Sequence, residues 1–317
     1  MRVGVVGATG LVGREMLSLI HSRGTAGAEE VMAFASSPGR SVRFAGGPLP
    51  VSVLDPASIE DGDILLGATS AAVALDWVEA CASAGAVVVD NSSAFRMRDD
   101  VPLVVPEVNP CSILDHRGII ANPNCSTIQL VVALSPLVAV ADVEWVAVST
   151  YQAVSGAGRT ALEDLRAQAR GDGCSQPSYH GNVLPEIGEP EGDGYCREER
   201  KLILETSKIL GTDFPVFPAC ARVGVEVGHT ESVSVMMSRA MSPSAAVELL
   251  QAAEGVCVSD RGYQPKTVAG SDLVGVGRVR SHPAEPRMLQ FWVTADNLRK
   301  GAALNAVQIV ERLIRAG

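Results

Sequence analysis

Apolar residues in the first part of the chain come in short β-branched runs: VGVV (Val3 to Val6), VMAFA (Val31 to Ala35), DILLGA (Asp63 to Ala68), AVVVDN (Ala86 to Asn91) and GIIAN (Gly118 to Asn122). Each run is bounded by Gly, Asp or Asn and separated from the next by a helix-length stretch, the pattern of βαβ units around a parallel sheet covered on both faces. An α/β, doubly wound first domain over residues 1–124 is expected. After Cys125 the pattern changes to longer, better alternating strands at Glu144 to Thr150, Val216 to Val225, Thr230 to Ser238 and Met288 to Ala295. Helices are expected at Thr160 to Arg170, Glu198 to Leu210 and Ser244 to Ala253, which makes residues 125–296 an α+β second domain. Gly171 to Tyr195 is rich in Gly, Pro, Glu and Asp and predicts a loop. The closing segment GAALNAVQIVERLIRAG sets Leu304, Val307, Val310, Leu313 and Ile314 near helical spacing and predicts an amphipathic helix.

The 317 residues are 47% hydrophobic and 20% charged, which supports a compact fold over a disordered chain. With 26 Lys+Arg against 36 Asp+Glu, a net charge of −10 and no basic block, a general attraction to nucleic acid is excluded. Seven cysteines, an odd number without CxxC spacing, fit neither a disulfide framework nor a zinc site, so a reducing, cytoplasmic compartment and no metal are expected. The start, MRVGVVGATGLVG, reads as strand and turn rather than signal peptide, and the apolar stretch Ile128 to Val148 is broken by Ser135, Pro136, Asp142 and Glu144. No membrane association is expected.

GATGLVG puts Gly7, Gly10 and Gly13 between the first strand and an apolar helical pattern. Glycines there permit a tight turn, close approach of backbone N–H groups to a pyrophosphate and tight helix-on-strand packing, as in a Rossmann-like dinucleotide site. A tight βα turn that binds nothing is the other reading. After the second strand stand Ser36, Ser37, Pro38, Gly39, Arg40 and Ser41, where a site for NAD would carry an acidic residue. Hydroxyls and a guanidinium suit a ribose 2′-phosphate and point to NADP, although such residues also occur in merely solvated loops.

In Asn122-Pro123-Asn124-Cys125-Ser126-Thr127 a buried strand gives way to an apolar helical pattern. Cys125 therefore falls at a helix N-terminus, where unpaired N–H groups and the dipole favour thiolate. The other six cysteines (Cys81, Cys111, Cys174, Cys196, Cys220 and Cys257) read as small buried hydrophobes.

GATGLVG, DNSSAFR (Asp90 to Arg96), VPLVVPEVN (Val101 to Asn109), NPNCST, STYQAVSGAGR (Ser149 to Arg159) and DNLRKGAALNAVQ (Asp296 to Gln308) together resemble aspartate-β-semialdehyde dehydrogenase, in order along nearly the whole chain. The resemblance implies a thiol that attacks the acyl phosphate of L-aspartyl 4-phosphate, followed by reduction of the thioacyl enzyme with NADPH. It assigns the nucleophile to Cys125, the acid/base to His229, the orienting amide to Gln152 and the carboxylate grip to Arg222. Thiolate chemistry, an imidazole with pKa near ~6.5 and a planar guanidinium fork suit those roles. It assigns phosphate contacts to Arg96 and Lys201, and the substrate amino group to Glu198. A Glu198/Lys201 pair within one helix, a structural amide at Gln152 and solvated cations at Arg96 and Lys201 are the plainer readings.

For the cofactor the resemblance implies Gly7, Thr9, Gly10, Leu11, Val12 and Gly13, with Ser36, Ser37 and Arg40, and then Ser155, Gly156 and Asn297 around the nicotinamide. The fold it implies is a Rossmann-like domain completed by residues 297–317, with the last helix packed back on it, and a catalytic and dimerisation domain over 125–296. A homodimer is the implied assembly, with a tetramer also possible. The loop after the second strand and the short Gly188 to Tyr195 region depart from commoner family versions. Two further readings are an N-acetyl-γ-glutamyl-phosphate reductase-like enzyme, whose substrate lacks a free α-amine, and a non-catalytic dinucleotide-binding regulator. The presence of Cys125, Gln152, Arg222 and His229 together speaks against the regulator.

Overall fold

The computed structural model describes residues 1–173 and 175–316. The chain forms two compact units, one of Met1–Asn124 together with the stretch from Ala302 onward, the other Cys125–Gly301.

In the first unit β1 (Val3–Val6), α1 (Leu11–Arg23), β2 (Val31–Phe34), β3 (Ser41–Phe44), β4 (Gly47–Ser52), β5 (Ile64–Gly67), α2 (Ala71–Ser83), β6 (Val87–Asp90) and β7 (Ile119–Ala121) build a sheet of order β3-β4-β2-β1-β5-β6-β7. Every pairing is parallel except the β3–β4 hairpin. β1 and β5 are buried at every residue, as a sheet covered on both faces requires. α1 packs under this sheet through Met16, Leu19 and Ile20, together with Leu304, Val307 and Val310 of the closing helix α8 (Leu304–Ala316). Polar ties fix α8: the Asn305 amide donates to Val104 O (2.9 Å) and Asn122 Oδ1 (2.7 Å), and Arg23 pairs with Glu311 at 2.7 Å. The hairpin is an addition that the parallel pattern did not predict. Pro48 and Pro50 interrupt its second strand, and its turn holds Ala45 and Gly46 at φ 49° and 83°.

In the second unit the elements are α3 (Cys125–Val138), β8 (Val143–Gln152), α4 (Arg159–Arg170), β9 (Val183–Leu184), α5 (Arg197–Leu210), β10 (Val216–Val223), β11 (His229–Met237), α6 (Pro243–Ala252), β12 (Val256–Ser259), α7 (Pro265–Val268), β13 (Val274–His282) and β14 (Glu285–Ala295). They form a mixed sheet of order β12-β13-β14-β11-β8-β10-β9. α3 packs on β8, β11 and β14, and α5 on β10, so one face of the sheet is covered and the strands alternate cleanly. On β8 the buried set is Val146, Val148, Thr150 and Gln152, and the other face presents Trp145, Ala147, Ser149 and Tyr151. The Gly171 to Tyr195 stretch is irregular over its described residues, apart from β9, which pairs with β10.

The cysteines divide differently from expectation. Cys81, Cys196 and Cys220 are buried, Cys257 is half-buried, and Cys111 is exposed because it lies on a surface 3₁₀ turn, Pro110–Asp115. Cys174 lies outside the described residues. Among the described residues no helix is long and apolar enough to cross a membrane, and no group of three or more His, Cys, Asp or Glu side chains could hold a metal.

Candidate active site

Strand register in the second unit sets three polar side chains side by side. β8 and β10 pair in parallel with Gln152 opposite Arg222, and β11 runs antiparallel on the other edge of β8 with Thr230 opposite Tyr151. Gln152, Arg222 and His229 thus lie at the same end of three adjacent strands, on the buried face. Arg222 Nη1 donates to Ala153 O at 2.8 Å and reaches Gln152 Oε1 at 3.5 Å. The Ala153 amide in turn donates to His229 Nδ1 at 3.0 Å. With Nδ1 engaged as acceptor, the neutral imidazole carries its proton on Nε2.

His229 is fully buried and its Nε2 has no hydrogen-bond partner. Burial, reinforced by the Arg222 charge and only partly opposed by Glu198, pushes its pKa down to about 3. The ring is therefore neutral at physiological pH and offers one N–H. It faces Gly156, where a Cβ would come within 3.3 Å of Nε2 and 3.0 Å of Arg222 Nη1. Gly156 itself is exposed, and its missing side chain keeps the space next to both groups free of a Cβ.

Cys125 is the first residue of α3 and is half-buried. Its neighbour across the chain is Gly301, where a Cβ would lie 2.9 Å from Cys125 Cβ. Gly301 belongs to a π-helical turn, Arg299–Ala303, whose Lys300 is fully buried. Sequence reading missed both residues; a glycine beside a lysine in the otherwise periodic GAALNAVQ pattern was the available signal. Asp296 holds this turn by accepting from the Leu298 and Arg299 amides.

Glu198 is buried on the first turn of α5, and Lys201 donates to it at 2.9 Å, so the pair within one helix is formed. Asn297 is buried and engaged: its Oδ1 accepts from the Gly228 amide (2.8 Å) and its Nδ2 donates to Ser155 Oγ (2.9 Å). The amide ties the Ser155 turn to the residue just before His229.

In the first unit Gly7 has φ 89°, and a Cβ there would strike Ala68 O at 2.4 Å. At Gly13 a Cβ would lie 2.3 Å from Gly7 O, so α1 starts directly against the strand and turn. A cavity of about 470 Å³ opens at this edge, lined by Gly7, Thr9 and Ser36 and by Thr69, Ser70 and Trp77. Leu11 and Val12 form the first turn of α1, half-buried, while Ser37 and Arg40 are exposed on the following loop and do not line the cavity. Thr69, Ser70 and Trp77 were missed in the sequence; Ser70, whose Oγ caps α2, was the legible signal. Arg96 is buried rather than solvated, donating to Asn122 O (2.9 Å) and Asn91 O (2.7 Å) at the ends of β7 and β6. Both amide atoms of Asn91 are buried there without a partner.

A thiol at a helix start, a neutral imidazole with one free N–H, a buried guanidinium and a glycine-lined cavity together suit acyl transfer coupled to a dinucleotide. The comparisons agree with that combination. A model described as Semialdehyde dehydrogenase, NAD binding domain matches residues 2–116, and one described as Semialdehyde dehydrogenase, dimerisation domain matches residues 134–300. Aspartate-semialdehyde dehydrogenase of Aquifex aeolicus (strain VF5) is 44% identical, covering 100% of this chain and 98% of the relative. A crystal structure of aspartate semialdehyde dehydrogenase II complexed with ASA from Vibrio cholerae superposes with TM-score 0.93 at 37% identity, covering 99% of this chain and 98% of that one. One of aspartate semialdehyde dehydrogenase with NADP from Candida albicans gives TM-score 0.76 at 25% identity, covering 99% and 98%. With two-domain agreement in model, sequence and structure over its full length, the chain belongs to the aspartate-semialdehyde dehydrogenase family.

Proposed function

We propose that this chain converts L-aspartyl 4-phosphate to L-aspartate 4-semialdehyde, and runs the phosphate-consuming reverse, with NADP as cofactor and Cys125 as nucleophile, in the biosynthesis of lysine, threonine and methionine. The observation that carries this reading is the Gln152, Arg222 and His229 cluster, with its single free imidazole N–H, in the same unit as a thiol at a helix start.

The Cys125 sulfur attacks the acyl carbon, forming a C–S bond as the C–O bond to phosphate breaks and phosphate leaves with the electron pair. Helix α3 favours the anionic thiol through its unpaired N–H groups. Arg222 holds the substrate carboxylate, with its guanidinium preset by Ala153 O, and Glu198 receives the amino group. Gln152 orients the acyl group. Lys201 and Arg96 are the phosphate ligands. His229 donates from Nε2 to the oxygen that becomes anionic on reduction, and takes that proton back when the hemithioacetal collapses to aldehyde and thiolate. A neutral donor fits better here than the half-protonated imidazole expected from an ordinary pKa.

Bound as NADPH, the cofactor would supply the hydride and leave as NADP⁺. Its fit is supported by the cradle that a Cβ would fill at Gly7 and Gly13, by the adjoining cavity and by the unpaired amide of Asn91. Gly7, Thr9, Gly10, Leu11, Val12, Gly13 and Ser36 would hold the dinucleotide, with Ser37 and Arg40 on the loop toward a 2′-phosphate. Gly156 would leave room for the nicotinamide, on a turn braced by Ser155 and Asn297. The working assembly is a homodimer in the cytoplasm, joined through the uncovered sheet face, where Tyr151 is 38% and Phe217 52% exposed.

Reduction of NADP⁺ with L-aspartate semialdehyde, followed by absorbance with and without phosphate, tests the proposal. Phosphate-dependent turnover is expected in the native chain and none in Cys125→Ala. Turnover in Cys125→Ala would remove the assigned nucleophile, and nucleotide binding without turnover would favour the regulator.

A further inference from the structure

The second unit contains a cavity of about 890 Å³ whose lining includes none of the residues given a role above. Its walls come from α4, the His180 region, the 224–227 loop and α7. Leu165, Ala169, Val225, Val227 and Pro265 supply apolar surface, while Arg166, Arg170, His180 and Lys266 bring positive or protonatable groups to the same space. The one acid among the lining residues, Glu226, is occupied by Arg166 through two bonds of 3.0 and 2.6 Å. Arg170 pairs only with the exposed Asp172, an arrangement of little strength, and Lys266 has no ion pair among the described residues. The volume is that of a small-molecule site, and the lining joins an apolar body to positive charge that is only partly neutralised.

The loop in the cavity wall is tied by its backbone to the turn after β8. Val225 O accepts from the Val154 amide (2.8 Å) and Glu226 O from the Ser155 amide (3.1 Å), so the cavity wall is sewn to the turn that carries Gly156. Arg222 precedes this loop by two residues and His229 follows it by one. At its end Gly228 lies so close to α7 that a Cβ would meet Pro265 at 2.8 Å, leaving the segment little slack.

We propose that this cavity is a second ligand site, for a small organic carboxylate or sulfonate with an apolar body, whose occupancy is transmitted through the 224–228 loop to Arg222 and His229. The transmission rests on the roles proposed above for those two residues; the binding does not.

Fluorescence titration with 8-anilinonaphthalene-1-sulfonate, in the presence of saturating NADP⁺ to cover the dinucleotide cavity, tests the site independently of turnover. Arg170→Glu/Lys266→Glu removes its positive charge, and Ala169→Trp fills it while leaving charge unchanged. Each variant is expected to weaken binding by about ten-fold or more. Without the probe, each should turn over the semialdehyde within roughly two-fold of native. In the native protein, saturating probe is expected to change KM for the semialdehyde by about two-fold or more, an effect absent from both variants. Native affinity in either variant would overturn the site. Binding at the cavity with no change in KM would overturn its link to the loop.

Discussion

His229 and Glu231 stand two residues apart on the buried face of β11, both uncharged for the same reason and with opposite consequences. His229 stays neutral down to about pH 3 when folded, whereas in the unfolded chain it takes up a proton near its ordinary 6.5. The unfolded state therefore binds more protons below about 6.5, and stability falls as pH drops from there toward 3. Between pH 6.5 and 5 this amounts to about 2 kcal/mol, so His229→Asn should flatten the acid side of a urea-denaturation profile by that amount as well as abolish turnover. Glu231 is held protonated by burial, well above the usual carboxylate range, so its folded state binds the extra proton and stability is lost as pH rises above about 4.5. Glu231→Gln should flatten the alkaline side of the same denaturation profile, and an unchanged slope there would show that Glu231 does not set it. None of this was legible in the sequence. HTESV shows alternation, but neither the depth of the strand nor the Ala153 amide that fixes the His229 tautomer is written in it.

Elements were most legible where a single pattern decided them. Five of the strands in the first unit (β1, β2, β5, β6 and β7) are short apolar runs between Gly, Asp and Asn, and each expected run contains its observed strand. No strand was expected at β13, where glycines interrupt the apolar alternation of VGVGRVR. Those glycines serve close packing instead: a Cβ at Gly275 would lie 2.5 Å from the Tyr263 ring, and one at Gly277 2.3 Å from both Ser259 O and Gly262 Cα. The neighbourhood of Gln152 and Arg222 was hidden for another reason. It follows from the parallel pairing of β8 with β10, a register that no local pattern specifies. For the βα turn the same geometry yields a test. Gly13→Ala puts a methyl 2.3 Å from Gly7 O and forces α1 away from the turn. A loss of about 1–3 kcal/mol in stability is expected, with weaker binding of NADP⁺ in a titration of the folded variant. Native affinity in that variant would separate the tight packing from any role in holding a dinucleotide.

At the scale of the whole molecule, the second sheet leaves large side chains exposed on the face opposite α3 and α5, among them Tyr151 and Phe217. Trp145 and Phe217 meet edge to face at 6.3 Å, and Tyr151 stacks on Trp292 at 5.8 Å. Aromatic pairs of this kind, without helices over them, are what a self-complementary interface buries. Ala219→Glu would set a charge on this face of β10, beside the exposed Phe217. Sedimentation should then report half the native mass with an intact circular-dichroism spectrum, and an unchanged mass would move the interface elsewhere.

The discontinuous first unit has a consequence for the newborn chain. Strands β1 to β7 leave the ribosome early, but α8, which fills one side of their core, emerges only after the entire second unit has been made. At about 5–20 residues per second, that delay is roughly 10 to 35 seconds. Throughout it, the core around Met16, Leu19 and Ile20 lacks Leu304, Val307 and Val310. The first half of the chain is thus the last to be finished, and this is the interval in which holding chaperones would meet it and in which aggregation would begin.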